Sequence, residues 1–112
     1  MKPICLSRQL DLEEAVEQPD GLGGLGVSWT KLGTLWAEVL PGAGRDRAGE
    51  EVVLSAVSYR VTVRGAPVGA ASRPKAGQRF RAGLRVFAIL AVTERDEGGH
   101  FLRCFVREET PA

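Results

Sequence analysis

At 112 residues the chain has room for one domain and one modest core, so much of its apolar surface must stay outside or meet a partner. Lys and Arg total 15 against 14 Asp and Glu, and the resulting charge of +1 excludes the strong field of a dedicated duplex-DNA or anionic-lipid binder. Two cysteines near opposite ends, Cys5 and Cys104, exclude a disulfide-dense scaffold and a zinc site with paired ligand spacing, and no apolar run approaches the roughly 20 residues of a membrane span.

The amino terminus lacks the basic, apolar and small-residue sections of a signal peptide, so a soluble protein with reduced thiols, made in the cytoplasm, is expected. Only Lys2, Lys31 and Lys75 are lysines, and the dominance of Arg suits interfaces, where a planar guanidinium pairs bidentately. Over residues 6–16, Leu10 and Leu12 alternate with Gln9, Asp11 and Glu13, which predicts a half-buried strand. Gln18-Pro19-Asp20 and the glycines of residues 21–26 then predict a mobile loop outside any regular element. Residues 28–40 read as a strand, Leu35, Ala37 and Val39 on one face and Trp36, Glu38 and Leu40 on the other. Pro41-Gly42-Ala43-Gly44 ends it, and Ala48, Val52 and Ala56, four apart, predict a short helix over residues 45–56.

Residues 57–64 alternate most clearly, with Tyr59, Val61 and Val63 opposite Arg60, Thr62 and Arg64. Gly65-Ala66-Pro67 breaks that strand, Pro74 marks a bend or an edge, and residues 78–80 suggest a short strand. The apolar run of residues 85–93 predicts a core strand buried on both faces. Asp96-Glu97-Gly98-Gly99 then reads as a hairpin connection to a last strand, in which Phe101, Arg103, Phe105 and Arg107 alternate with Leu102, Cys104 and Val106. The sum is an all-β, mainly antiparallel fold: a small β-barrel or sandwich over residues 1–112, with at most one short helix in a long inter-strand loop.

Few constellations carry chemistry. Gly21, Gly23 and Gly26 have the spacing of a dinucleotide fingerprint, but a Pro-Asp pair precedes them and a strand pattern follows, so the motif lacks its βαβ context. His100, the only histidine, sits beside a turn as a solvated hairpin residue, and Cys104 alternates with apolar neighbours as a core or interface residue. No acid, base and nucleophile set is coherent, so no catalytic residue, cofactor or metal is assigned. Glu13, Glu14, Glu17 and Asp20 form an acidic patch, and Arg73, Lys75, Arg79, Arg81 and Arg85 a basic stretch that crosses a subunit boundary onto that patch or touches phosphate. Trp29 and Trp36 are seven apart, so an unbroken strand sends them to opposite faces, one into the core and one toward a neighbouring subunit. The candidate interface residues are therefore Trp29, Trp36, Arg73, Arg79, Arg81 and Arg85.

One ordered series of residues spans nearly the whole chain: Leu6 and Arg8, the loop Asp20-Gly21-Leu22-Gly23-Gly24, Trp29, Leu35-Trp36-Ala37-Glu38-Val39, and Tyr59-Arg60-Val61-Thr62-Val63-Arg64. It continues through Arg73-Pro74, Arg85-Val86-Phe87-Ala88-Ile89 and Leu102-Arg103-Cys104-Phe105. In order and spacing it resembles the head–tail joining proteins of tailed phages, which include the stopper or head-completion proteins of long-tailed phages and gene transfer agents. The resemblance implies a small barrel in a homo-oligomeric ring, a hexamer, between portal and adaptor on one side and tail terminator on the other. It implies a virion neck assembled in the bacterial cytoplasm, no membrane, and DNA passing through the channel. It also implies that residues 41–56 reach that channel, with Gly42, Gly44 and Gly49 supplying flexibility and Arg45 and Arg47 facing DNA. The sequence departs from the family pattern at Arg64-Gly65-Ala66-Pro67, where other members often continue the strand.

Two other readings stay open at this level. One is another neck component, such as the tail terminator or a mainly helical adaptor. The other is an independent OB-like nucleic-acid-binding barrel, which needs aromatic stacking platforms on a basic groove; most of the few aromatics here fall instead in apolar runs.

Overall fold

The computed structural model describes residues 3–42 and 56–109. Six strands follow in chain order: β1 (Arg8–Pro19), β2 (Leu25–Pro41), β3 (Ala56–Arg64), β4 (Arg79–Ala82), β5 (Arg85–Glu94) and β6 (Phe101–Glu109). All pairings are antiparallel and the sheet closes on itself in the order β1-β2-β3-β6-β5-β4. The all-β barrel expected from the alternating pattern is thus what forms. The helix predicted over residues 45–56 lies outside the described residues except for Ala56, which opens β3.

Alternation fills the barrel. Leu10, Leu12, Ala37, Val61, Val63, Phe80, Phe87, Ile89, Leu102, Cys104 and Val106 are buried and form one cluster. Each large member contributes about 1.5–3 kcal/mol by leaving water. Tyr59 meets Phe87 edge-on, with ring centroids 5.6 Å apart. At that end of the barrel Arg85 covers both rings, its guanidinium carbon 5.0 Å from the Phe87 centroid and 5.8 Å from that of Tyr59. The same guanidinium donates to both oxygens of Glu108, at 2.7 and 3.1 Å, and this bond holds the Glu108 carboxyl below its usual range.

Two bulges correct the sequence reading. In β2 the partners of Leu12 and Glu13 are Gly33 and Lys31, so Leu32 is an extra residue, packed against the core. The insertion reverses the facing of everything before it in β2, so Trp29 and Trp36 share the outer face instead of lying on opposite ones. In β5, Ile89 pairs with Val106 and Ala91 with Phe105, leaving Leu90 extra and half-exposed. The apolar run of β5 is therefore buried on its inner face, at Phe87 and Ile89, and not on both: Leu90 and Ala91 stand exposed.

The glycine-rich segment after β1 is also more regular than expected. Leu25 and Gly26 belong to β2, paired with Pro19 and Gln18, because the turn closes within residues 20–24. Asp20 holds it: its Oδ1 accepts the amides of Leu22 at 2.7 Å and Gly24 at 3.0 Å, which lowers its pKa, and Gly21 and Gly23 supply the positive φ a side chain would resist. The other connections are tied down as well. Gly65 donates its amide to the carbonyl of His100 at 2.7 Å, Arg73 Nη1 donates to the carbonyl of Ala66 at 2.7 Å, and Pro74 is fully buried.

Candidate subunit interface

The β1–β2 hairpin is longer than the barrel needs. On its outer sides β1 pairs with β4 only from Asp11 to Glu13, and β2 pairs with β3 only from Ala37 to Pro41. Residues 14–19 and 25–30 therefore form a two-stranded arm with no third strand beside it among the described residues. One face of the arm presents Ala15, Pro19, Leu25, Val27 and Trp29 with Glu17 among them opposite Val27; Leu25 is 68% and Val27 59% exposed, and Leu22 stands at the tip. An isolated two-stranded ribbon is marginal in water, and an apolar stripe on one asks for a partner.

At the root of the arm the acidic patch and the basic stretch meet within one chain. Arg79 Nε lies 2.6 Å from Glu13 Oε1, Arg81 Nη1 lies 3.9 Å from Glu13 Oε2, and the Arg79 guanidinium stacks 4.0 Å from the Trp29 ring centroid. Lys31 and Thr34 both reach Asp11 Oδ1, at 3.5 and 2.8 Å. Of the candidate interface residues, Trp29 and Trp36 stand partly exposed on the outer face, Arg79, Arg81 and Arg85 are engaged by Glu13 and Glu108, and Arg73 braces the loop after β3. A groove of about 240 Å³ beside Trp36 is lined also by Leu35, Arg64 and Ala66. Of the candidate channel residues, Gly42 is anchored by its amide on the Ser58 carbonyl at 2.9 Å, and Gly44, Arg45, Arg47 and Gly49 lie outside the described residues.

Sequence reasoning passed over a second surface. Outward-facing residues of β2, β3, β6 and β5 bring Arg60, Arg103 and Arg107 among exposed Leu40, Leu90 and Phe105, and among the described residues these three arginines enter no ion pair. The Nε of Arg60 is buried without an acceptor, beside a groove of about 200 Å³ shared with Glu38, Arg95 and Arg103. The signal was present in the alternation of the last strand, whose odd positions read Phe, Arg, Phe, Arg.

His100 and Cys104 offer little chemistry. The imidazole Nδ1 lies 2.8 Å from Asp96 Oδ2 at an exposed turn, where Asp96 also accepts the amides of His100 and Phe101. Burial pushes the Cys104 thiol up to about 12, so it stays neutral and packs as a small core residue.

Residues 1–109 match the family described as phage head completion protein. The chain belongs to that family. This head completion protein is also similar to one chain of a native gene transfer agent virion, at 55% identity over 99% of its own length and 100% of the other's, with a TM-score of 0.79. A solution structure of a protein from Shigella flexneri 2a shares the fold, with a TM-score of 0.69, 20% identity and full coverage of both chains. No curated protein matches it. The head completion protein is thus a virion protein with a structural role where head and tail join, in line with the resemblance of its ordered motifs.

Proposed function

We propose that this chain is the stopper subunit of a tailed-phage-like or gene transfer agent particle, forming a closed ring between the portal and adaptor above and the tail terminator below. The observation that carries this reading is the near-complete correspondence with a chain of a gene transfer agent virion. Support from the fold is physical: one small barrel leaves Trp36, Leu40, Leu90 and Phe105 exposed on its outside, and apolar side chains grouped on a surface ask for a partner. A closed ring of six copies satisfies such a surface without growing into a filament. The ring encloses the DNA channel, and the segment of residues 41–56 gates it, a role that rests on the resemblance alone. The chain acts as a mechanical part and no reaction is assigned to it.

Removing the gene tests the reading. Filled or leaking heads and separate tails are expected in electron micrographs, with joining restored by the intact chain; normally tailed particles without it reject the assignment. Deleting residues 44–49 is expected to preserve tailed particles that lose DNA, and particles that retain their DNA reject the gating role.

A further inference from the structure

Among the described residues, two outer surfaces of opposite charge combine exposed apolar side chains with charges that enter no ion pair. From residue 14 to residue 30 the arm carries Glu14, Glu17 and Asp20 and no cation, alongside its exposed Leu25 and Val27. The outer face of β2, β3, β6 and β5 carries Arg60, Arg103 and Arg107 around exposed Leu40, Leu90 and Phe105. Four other cations are paired within the chain: Lys31 on Asp11, Arg79 and Arg81 on Glu13, and Arg85 on Glu108. Each surface thus offers an apolar centre and the charge that the other lacks.

We infer that the arm of one copy lies across the Arg60–Arg103 face of the next copy, so that the ring contact is a strand ribbon on a barrel wall. The inference deepens the reading of the chain as a ring subunit and rests on it. Because arm and face are different patches, the contact is heterologous, and repeating it closes a ring when the rotation allows. In the contact Glu17 supplies an acceptor to the guanidinium groups of Arg103 and Arg107, which enter no ion pair among the described residues. DNA fits the same face less well, since phosphates pair with the arginines but leave Leu40, Leu90 and Phe105 uncovered and the acidic arm without a partner.

The test is cross-linking inside assembled particles. In a Cys5→Ser background, Val27→Cys and Leu90→Cys together are expected to give a ladder of covalent multimers under mild oxidation, while either substitution alone gives none. Glu17→Arg or Arg103→Glu alone is expected to abolish the ladder, and the two together to restore it. A ring visible in the neck with no ladder, dimers from Val27→Cys alone, or cross-links to a different virion protein each overturn the arm contact and leave the ring reading standing. Absence of any ring of this chain sinks both. Particles with Arg103→Glu that keep the ladder and lose their DNA assign the face to nucleic acid instead.

Discussion

Cys5 and Cys104 are one residue type in two solvents. Cys5 is exposed near the amino terminus, while Cys104 lies fully inside the barrel, where burial holds its thiol neutral. A thiol reagent is therefore expected to modify Cys5 in the native protein and to reach Cys104 only after unfolding; two fast-reacting thiols in native buffer contradict the packing. The same burial has a pH signature. The thiol pKa rises from 9.0 to about 12 on folding, so above pH 9 the unfolded chain releases a proton that the folded chain keeps. Stability contributed by the neutral thiol is complete below pH 9 and is lost progressively as pH climbs toward 12. Denaturation midpoints of the wild type and Cys104→Ala, followed through that interval, are expected to converge.

At the scale of elements, close approach decides more than hydrophobicity. A Cβ at Gly65 would run into the carbonyl oxygen of Gly99, and the Gly65 amide is committed to His100, so this glycine lets the end of β3 press against the β5–β6 hairpin. Gly65→Ala is expected to cost about 1–3 kcal/mol in chemical denaturation, the usual scale of overpacking. An unchanged midpoint would mean that the two elements separate freely. The arm behaves in the opposite way, because among the described residues only its own two strands pair over residues 16–28. Replacing residues 16–28 by Asn-Gly is expected to keep the β-sheet circular dichroism and shift stability by less than about 1 kcal/mol, since an isolated two-stranded ribbon is itself marginal. Collapse of the fold would show that the arm belongs to the core.

For the whole molecule, the shortest seam is where β4 joins β1 through three residue pairs, Asp11 with Arg81, Leu12 with Phe80 and Glu13 with Arg79. Phe80 is fully buried behind that seam. Phe80→Ala is expected to cost about 3–5 kcal/mol, a large part of the stability of a small domain, and to show as a large fall in the denaturation midpoint. A loss below about 1 kcal/mol would mean that the barrel closes without this side chain.

Much of the fold was legible in the sequence because strand facing has a period of two: Val61 with Val63, and Leu102, Cys104 and Val106, declare the inner wall by alternation alone. The turn residues Asp96-Glu97-Gly98-Gly99 likewise marked the hairpin, and alternation placed Cys104 inside. It failed wherever one residue is inserted, since a bulge reverses every facing beyond it and is fixed by the partner strand. Leu32 and Leu90 are such residues: the first puts Trp29 on the same outer face as Trp36, and the second stands half-exposed outside the core. The pairing of Arg79 and Arg81 with Glu13, more than sixty positions away, likewise waited on the seam between β4 and β1. Local alternation therefore determined which strands exist and which way most of them face. Only closure of the sheet decided which charges are satisfied within the chain and which remain to meet another.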